Sequence, residues 1–197
     1  MSFAVLVYQA LAAVITITLH EFIKALISSS MGDPLPKRDG RVTLNPLKHI
    51  EPIGFIVMIA LGFGWGKPVE TASIYYKDRR KGTLLTYIIP SVANLFLGIL
   101  VTLSIALFKP PMNMSLVLQF IALFNLRHAF FNIIPVYPLD GAKVMSTLRS
   151  PNRVITMVNN QSSYQIILII FILWGIVGRI INPICESLMI VLLNLYR

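Results

Sequence analysis

Residues 3–31, 83–108, 115–134 and 164–196 are four apolar stretches that together fill more than half of the chain. A segment crossing a bilayer needs about 20 mainly apolar residues, because lipid offers the backbone no hydrogen-bond partners and only a helix satisfies them internally. Only 13% of the residues are charged and the mean hydropathy is +0.75, whereas a soluble domain carries about 25% charged residues. The chain therefore reads as an all-α polytopic membrane protein, one membrane domain over residues 1–197. The first stretch opens without a basic residue and is too long for a cleaved leader, so it reads as a retained helix. The lone Cys185 rules out an internal disulfide and a thiolate zinc site.

The formal net charge of +9 belongs to membrane topology, not to nucleic-acid binding. Lys37, Arg38, Arg41, Lys48, Lys67, Lys77, Arg79, Arg80 and Lys81 crowd residues 32–82, and Lys143, Arg149 and Arg153 follow in residues 137–163. The turn at 109–114 has a single Lys. The positive-inside rule then puts the two basic loops in the cytoplasm and the N-terminus outside. Residues 52–65 are apolar but too short to span, and they read as a membrane-dipping loop. The turn at 109–114 pairs the second and third helices. Arg179 and Asn182-Pro183 divide the last stretch into two short helices or kink a single one. Trp65 and Trp174 read as interfacial anchors, and Gly98, Gly175 and Gly178 as points of close helix approach.

Inside the first helix stand His20, Glu21 and Lys24. An ionisable side chain at membrane depth costs about 2.5–3.5 kcal/mol on insertion scales and marks a functional site by default. His20 and Lys24 are at i and i+4, with Glu21 beside them, the spacing at which HExxH presents two zinc ligands and a general base. The same residues also read as a buried Glu21–Lys24 ion pair at i, i+3. The third helix ends in Asn132–Gly141, NIIPVYPLDG, where two prolines stop the helix and leave Asp140 near membrane depth. A carboxylate there needs a cation.

Taken in order, the motifs resemble the site-2 protease family of intramembrane zinc metalloproteases. HEFIK aligns with HExxH, and NPLKHIEPIG (residues 45–54) is similar to NPxxHIDPxG. FGWGKPV (63–69) is similar to FGWAKPV, PSVANL (90–95) to GPxANL, and NIIPVYPLDG to NLLPxPPLDG. The resemblance covers about residues 18–145. It implies a three-helix core with a membrane-dipping loop and one or two extra C-terminal helices, and zinc held by two histidines and an aspartate. It further implies His20 and Asp140 as metal ligands, Glu21 as general base and Asn94 near the site, contacting substrate backbone.

One departure decides the reading. Lys24 stands where the family has its second zinc-binding histidine, and an ammonium has three donors and no lone pair. Zinc would keep only His20 and Asp140, short of the three protein ligands usual in catalytic sites. The leading expectation is that Lys24 itself lies between Glu21 and Asp140, turning a metal site into an ion cluster that ties the first helix to the third. Asn125, His128 and Asn132 share one face of the third helix, which can face that site. His128 and His49 read as structural contacts, not replacement ligands.

The functional expectation is a site-2-protease-like membrane protein with impaired or no peptidase activity, a pseudoprotease that binds transmembrane segments of partners. The alternative is an active intramembrane zinc endopeptidase with an atypical metal site; a transporter using the same buried charges ranks last. Zinc is the cofactor of the active form, and the inactive form needs none. The expected partners are the lipid bilayer and a transmembrane client or substrate, with no nucleic acid.

Overall fold

The computed structural model describes residues 2–148 and 161–195, and among them every regular element is a helix. Helix α1 runs Phe3–Ser30, α2 Leu35–Arg38, α3 Pro52–Leu61 and α4 Arg79–Phe108. Helices α5 Met112–Asn132, α6 Asp140–Leu148, α7 Gln161–Leu173 and α8 Ile176–Asn194 follow. Four of them, α1, α4, α5 and α8, are long and apolar enough to cross a membrane. The protein is an all-helical polytopic membrane protein. Arg149 and Arg153 of the second basic loop, and Tyr196, lie outside the described residues.

The helix ends are set by capping chemistry that hydropathy does not sense. Helix α4 begins at Arg79, not at residue 83, because Asp78 accepts a hydrogen bond from the Lys81 N–H at 2.9 Å. It ends where Lys109 turns left-handed (φ 43°) ahead of Pro110 and Pro111. Helix α5 starts directly after Pro111 and stops at Asn132, so it is shifted toward the N-terminus relative to the expected 115–134. The α4–α5 connection shrinks to residues 109–111. The C-terminal apolar stretch breaks at Gly175, whose φ of 72° suits a residue without Cβ, whereas Pro183 is accommodated inside α8. Asn182-Pro183 is therefore not the break, and Gly175 is a turn between two helices, not a contact point.

Helices α1, α4 and α5 pack against one another, and α8 packs on α4 and α5. Gly98 allows the α4–α5 approach, since a Cβ there would lie 2.7 Å from Leu126 Cδ2. Helix α3 leans on α1: Met58 joins Ala12, Ala13, Ile17 and Phe124 in one buried cluster. A second cluster holds Phe63, Leu126, Phe131, Leu139, Ile172 and Ile181. Trp65 belongs to this cluster and is 4% exposed, so it is a core residue and not an interfacial anchor; Trp174 is exposed. The packing sets α1, α4 and α5 as a frame around the polar residues of α1.

Candidate functional site

Thr16, Ile17, His20, Glu21, Lys24 and Ser28 recur at helical spacing on the buried face of α1. Opposite them, α4 contributes Asn94 and Tyr87, α5 contributes Asn125 and His128, and α6 contributes its first residue, Asp140. The chain reaches Asp140 by turning back through residues 133–139, where Val136 N–H donates to Ile134 O and Leu139 N–H to Val136 O. Five residues singled out by sequence, His20, Glu21, Lys24, Asn94 and Asp140, thus meet in one cluster.

The cluster is continuous. Lys24 Nζ lies 2.9 Å from Glu21 Oε1 and 2.8 Å from Asp140 Oδ1, and 5.8 Å from the centroid of the Tyr87 ring. His20 Nε2 lies 2.8 Å from Asp140 Oδ2, and its Nδ1 2.8 Å from Asn94 Oδ1. Glu21 Oε2 accepts the Val69 N–H at 3.2 Å. His20, Glu21, Lys24, Asn94 and Asp140 are all buried.

The two asparagines fix which nitrogen of His20 carries a proton. Asn125 Nδ2 donates to the Ile121 carbonyl at 2.8 Å, so Asn125 Oδ1 faces Asn94 and accepts from its Nδ2 at 2.7 Å. Asn94 Nδ2 also points at Thr16 O, 3.2 Å away. Asn94 Oδ1 must therefore accept from His20, and Nδ1 carries the hydrogen. Nε2 is left to face Asp140 Oδ2.

The segment preceding α4 is clamped onto the cluster. Lys67 N–H donates to His49 O at 2.7 Å, while Arg41 donates from its guanidinium to Lys67 O at 2.6 Å and Pro68 O at 3.0 Å. Gly66 passes so close to α1 that a Cβ would lie 2.6 Å from Ile17 Cγ2 and 2.8 Å from His49 O. His49 donates from Nε2 to Thr43 O at 2.7 Å. Burial and then the nearby Arg41 and Lys24 charges push its pKa below the ordinary 6.5, outweighing the pull of that bond and of Glu21. Burial likewise lowers Arg41, against the pull of Glu21, Asp39 and Glu70. Asp33 pins the same loop from the other side, accepting from Ser28 Oγ, Leu35 N–H and Ala72 N–H.

His128 does face the site, with its ring edge-on to His20 at 4.7 Å between centroids, and it accepts no bond at Nδ1. Asn132 turns away, donating to His128 O. Sequence reasoning missed Thr16, Tyr87 and Arg41 as contributors to the site, and met Val69 only as the last residue of the FGWGKPV stretch. Arg41 was visible only as one more loop cation, and nothing in its pattern marks it as buried.

The donor set does not fit a zinc ion. Its two usable ligands, His20 Nε2 and Asp140, are bonded to each other, and the third position is filled by the Lys24 ammonium, which has no lone pair. Among the described residues no group of three His, Cys, Asp or Glu side chains is placed to hold a metal ion.

No protein-family model matches the chain, and no solved structure matches it. The chain is 30% identical over 175 residues to the "Putative zinc metalloprotease YwhC" of Bacillus subtilis (strain 168), across 84% of this chain and 80% of that protein. An identity maintained over that share of both chains means that this protein belongs to the site-2-protease-like family of membrane proteins.

Proposed function

We propose that this protein is a non-hydrolytic member of its family, in which an ion cluster stands in place of the zinc centre and the membrane core binds transmembrane segments of client proteins. One observation carries the reading: Lys24 Nζ bridges Glu21 and Asp140 at 2.9 and 2.8 Å. A general base paired to an ammonium does not activate water, and a lysine in this position excludes a second cation by charge as well as by space. In this reading α1, α4 and α5 are the family's three-helix core, His20 and Asp140 are what remains of the metal ligands, and Asn94 positions His20. The basic loops 32–82 and 137–163 face the cytoplasm, the N-terminus lies outside and α3 dips into the membrane. A cavity of about 350 Å³, lined by Lys24, Val69, Tyr87, Pro138 and Asp140 among others, opens beside the cluster, with room for a few side chains of a client segment.

The opposite reading, an active zinc endopeptidase, draws on the orientation of His20: its Nδ1 is held by Asn94, so Nε2 is aimed into the site as a ligand would be. Zinc content of the detergent-purified protein, measured beside Lys24→His, separates the two. The non-hydrolytic reading expects no zinc in the parent protein and about one per chain in the variant, where a third ligand is restored. Zinc near one per chain in the parent protein refutes it and assigns the site to the peptidase.

A further inference from the structure

A second cavity, of about 370 Å³, lies between the first turns of α4 and the outer face of α6. Arg79, Arg80 and Lys143 line it, together with Ser73, Thr71 and Tyr87. Three cations from two helices face one space, and no carboxylate lines it. Asp78, the nearest acid in sequence, is engaged in capping Lys81, and among the described residues none of the three cations is within 4 Å of an acidic oxygen. Like charges so gathered repel one another unless an anion joins them.

The hydroxyl groups sort into those already used and those with a hydrogen to give. Thr83, Ser146 and Thr147 each donate to a backbone carbonyl of their own helix. Thr71 and Tyr87 share one hydrogen bond at 2.8 Å, so whichever donates, the other keeps its hydrogen for the cavity. The cavity thus offers guanidinium, ammonium and hydroxyl donors, and the donor set matches a tetrahedral oxyanion. Because Asp78 already fills the α4 cap, the site is made of side chains from two helices and a loop. Arg79 is the first residue of a membrane-spanning helix, so the cavity sits at headgroup level. Exposed Ile74, Tyr75 and Leu148 flank it, adjacent in the chain to Ser73 and Thr147.

The geometry points to a phosphate-binding site formed by Arg79, Arg80 and Lys143, taking the phosphate of an anionic phospholipid headgroup or of a soluble phosphate compound. It shares Thr71, Tyr87 and Lys143 with the cavity that ends at Lys24 and Asp140, so its occupant stands at the mouth of the ion cluster. This inference is independent of whether the cluster hydrolyses anything.

The test uses the full chain in nanodiscs of phosphatidylcholine alone or with phosphatidylglycerol, with bound lipid read by native mass spectrometry. In parallel, inorganic phosphate is titrated against the thermal transition in detergent. Arg79→Ala and Lys143→Ala are each expected to weaken binding about tenfold or more, the loss of one charge-assisted contact. Exposed Lys37→Ala and Lys48→Ala serve as controls that leave binding unchanged. Retention of phosphatidylglycerol by the parent protein and its loss in the two variants supports the site with a lipid occupant. Protection by inorganic phosphate without lipid retention supports it with a soluble one. The absence of both selective phosphatidylglycerol retention and protection by phosphate, equal loss in the controls, or no loss in the two variants overturns it.

Discussion

Replacing Lys24 by Met keeps the length and most of the packing of the side chain and removes only its charge. In the folded protein that charge is 2.9 Å from Glu21 and 2.8 Å from Asp140, with Lys24 only 4% exposed. At an effective dielectric of about 20, each contact is worth roughly 6 kcal/mol of gross attraction. Most of this offsets the cost of taking three ions out of water, and removing one partner of a buried pair costs about 3–5 kcal/mol net. For a chain of this size each kcal/mol moves a thermal midpoint by about 2–4 °C, so Lys24→Met is expected to melt roughly 10 °C or more below the parent protein. Unfolding in detergent is followed by tryptophan fluorescence, for which buried Trp65 is the reporter. A second variant, Lys24→Met with Asp140→Asn, removes one of the stranded carboxylates and is expected to recover part of the loss. That non-additivity is the signature of a shared network and separates charge from packing. If Lys24→Met melts with the parent protein, the ion-cluster argument fails.

Asn125→Leu removes the acceptor for Asn94 Nδ2 and is expected to cost about 1–3 kcal/mol. In a Lys24→His background the same change should weaken zinc binding about 10- to 100-fold, read by competition with a chelating dye. Gly66→Ala forces a methyl group against Ile17 and the His49 carbonyl. It should displace the segment that brings the Val69 N–H to Glu21, lowering stability by about 1–3 kcal/mol and opening residues 66–72 to limited proteolysis. His49 predicts a pH effect of definite sign. Its folded pKa lies below the ordinary 6.5, so the unfolded chain binds a proton more readily. Its stabilising share is fully present above that value and is lost as pH falls through the folded pKa. His49→Gln should flatten the thermal midpoint between pH 7 and 5, and an unchanged slope would assign the acid sensitivity to other groups.

The membrane spans were legible because lipid imposes length and apolarity on every residue of a helix, so the signal accumulates over a window. Boundaries depend on single contacts instead. Asp78 capping Lys81 and the left-handed Gly175 each move an end by a few residues with no trace in hydropathy. The site was legible as motifs but not as geometry. His20 and Asp140 are 120 residues apart, and no periodicity links them; order and motif did. Arg41 was counted as a topology charge, yet its guanidinium holds the 67–68 carbonyls, because a positive-inside count cannot tell a solvated cation from a buried one.

The asparagine relay explains how the frame tolerates the lysine. Asn125 and Asn94 orient His20 through hydrogen bonds that reach only Nδ1, on the side of the ring away from Lys24. The charge on the other side can therefore come from a metal ion or from an ammonium without disturbing them. What the fold requires there is a cation between Glu21 and Asp140, since two buried carboxylates without one are far costlier than either pairing. Lys24 meets that requirement with a charge attached to α1 itself. In the non-hydrolytic reading such a frame needs no metal to fold, whereas the Lys24→His variant should come to depend on one. Stripping zinc from that variant with a chelator is accordingly expected to lower its thermal midpoint while leaving the parent protein unmoved, and equal responses would refute the substitution of ammonium for metal.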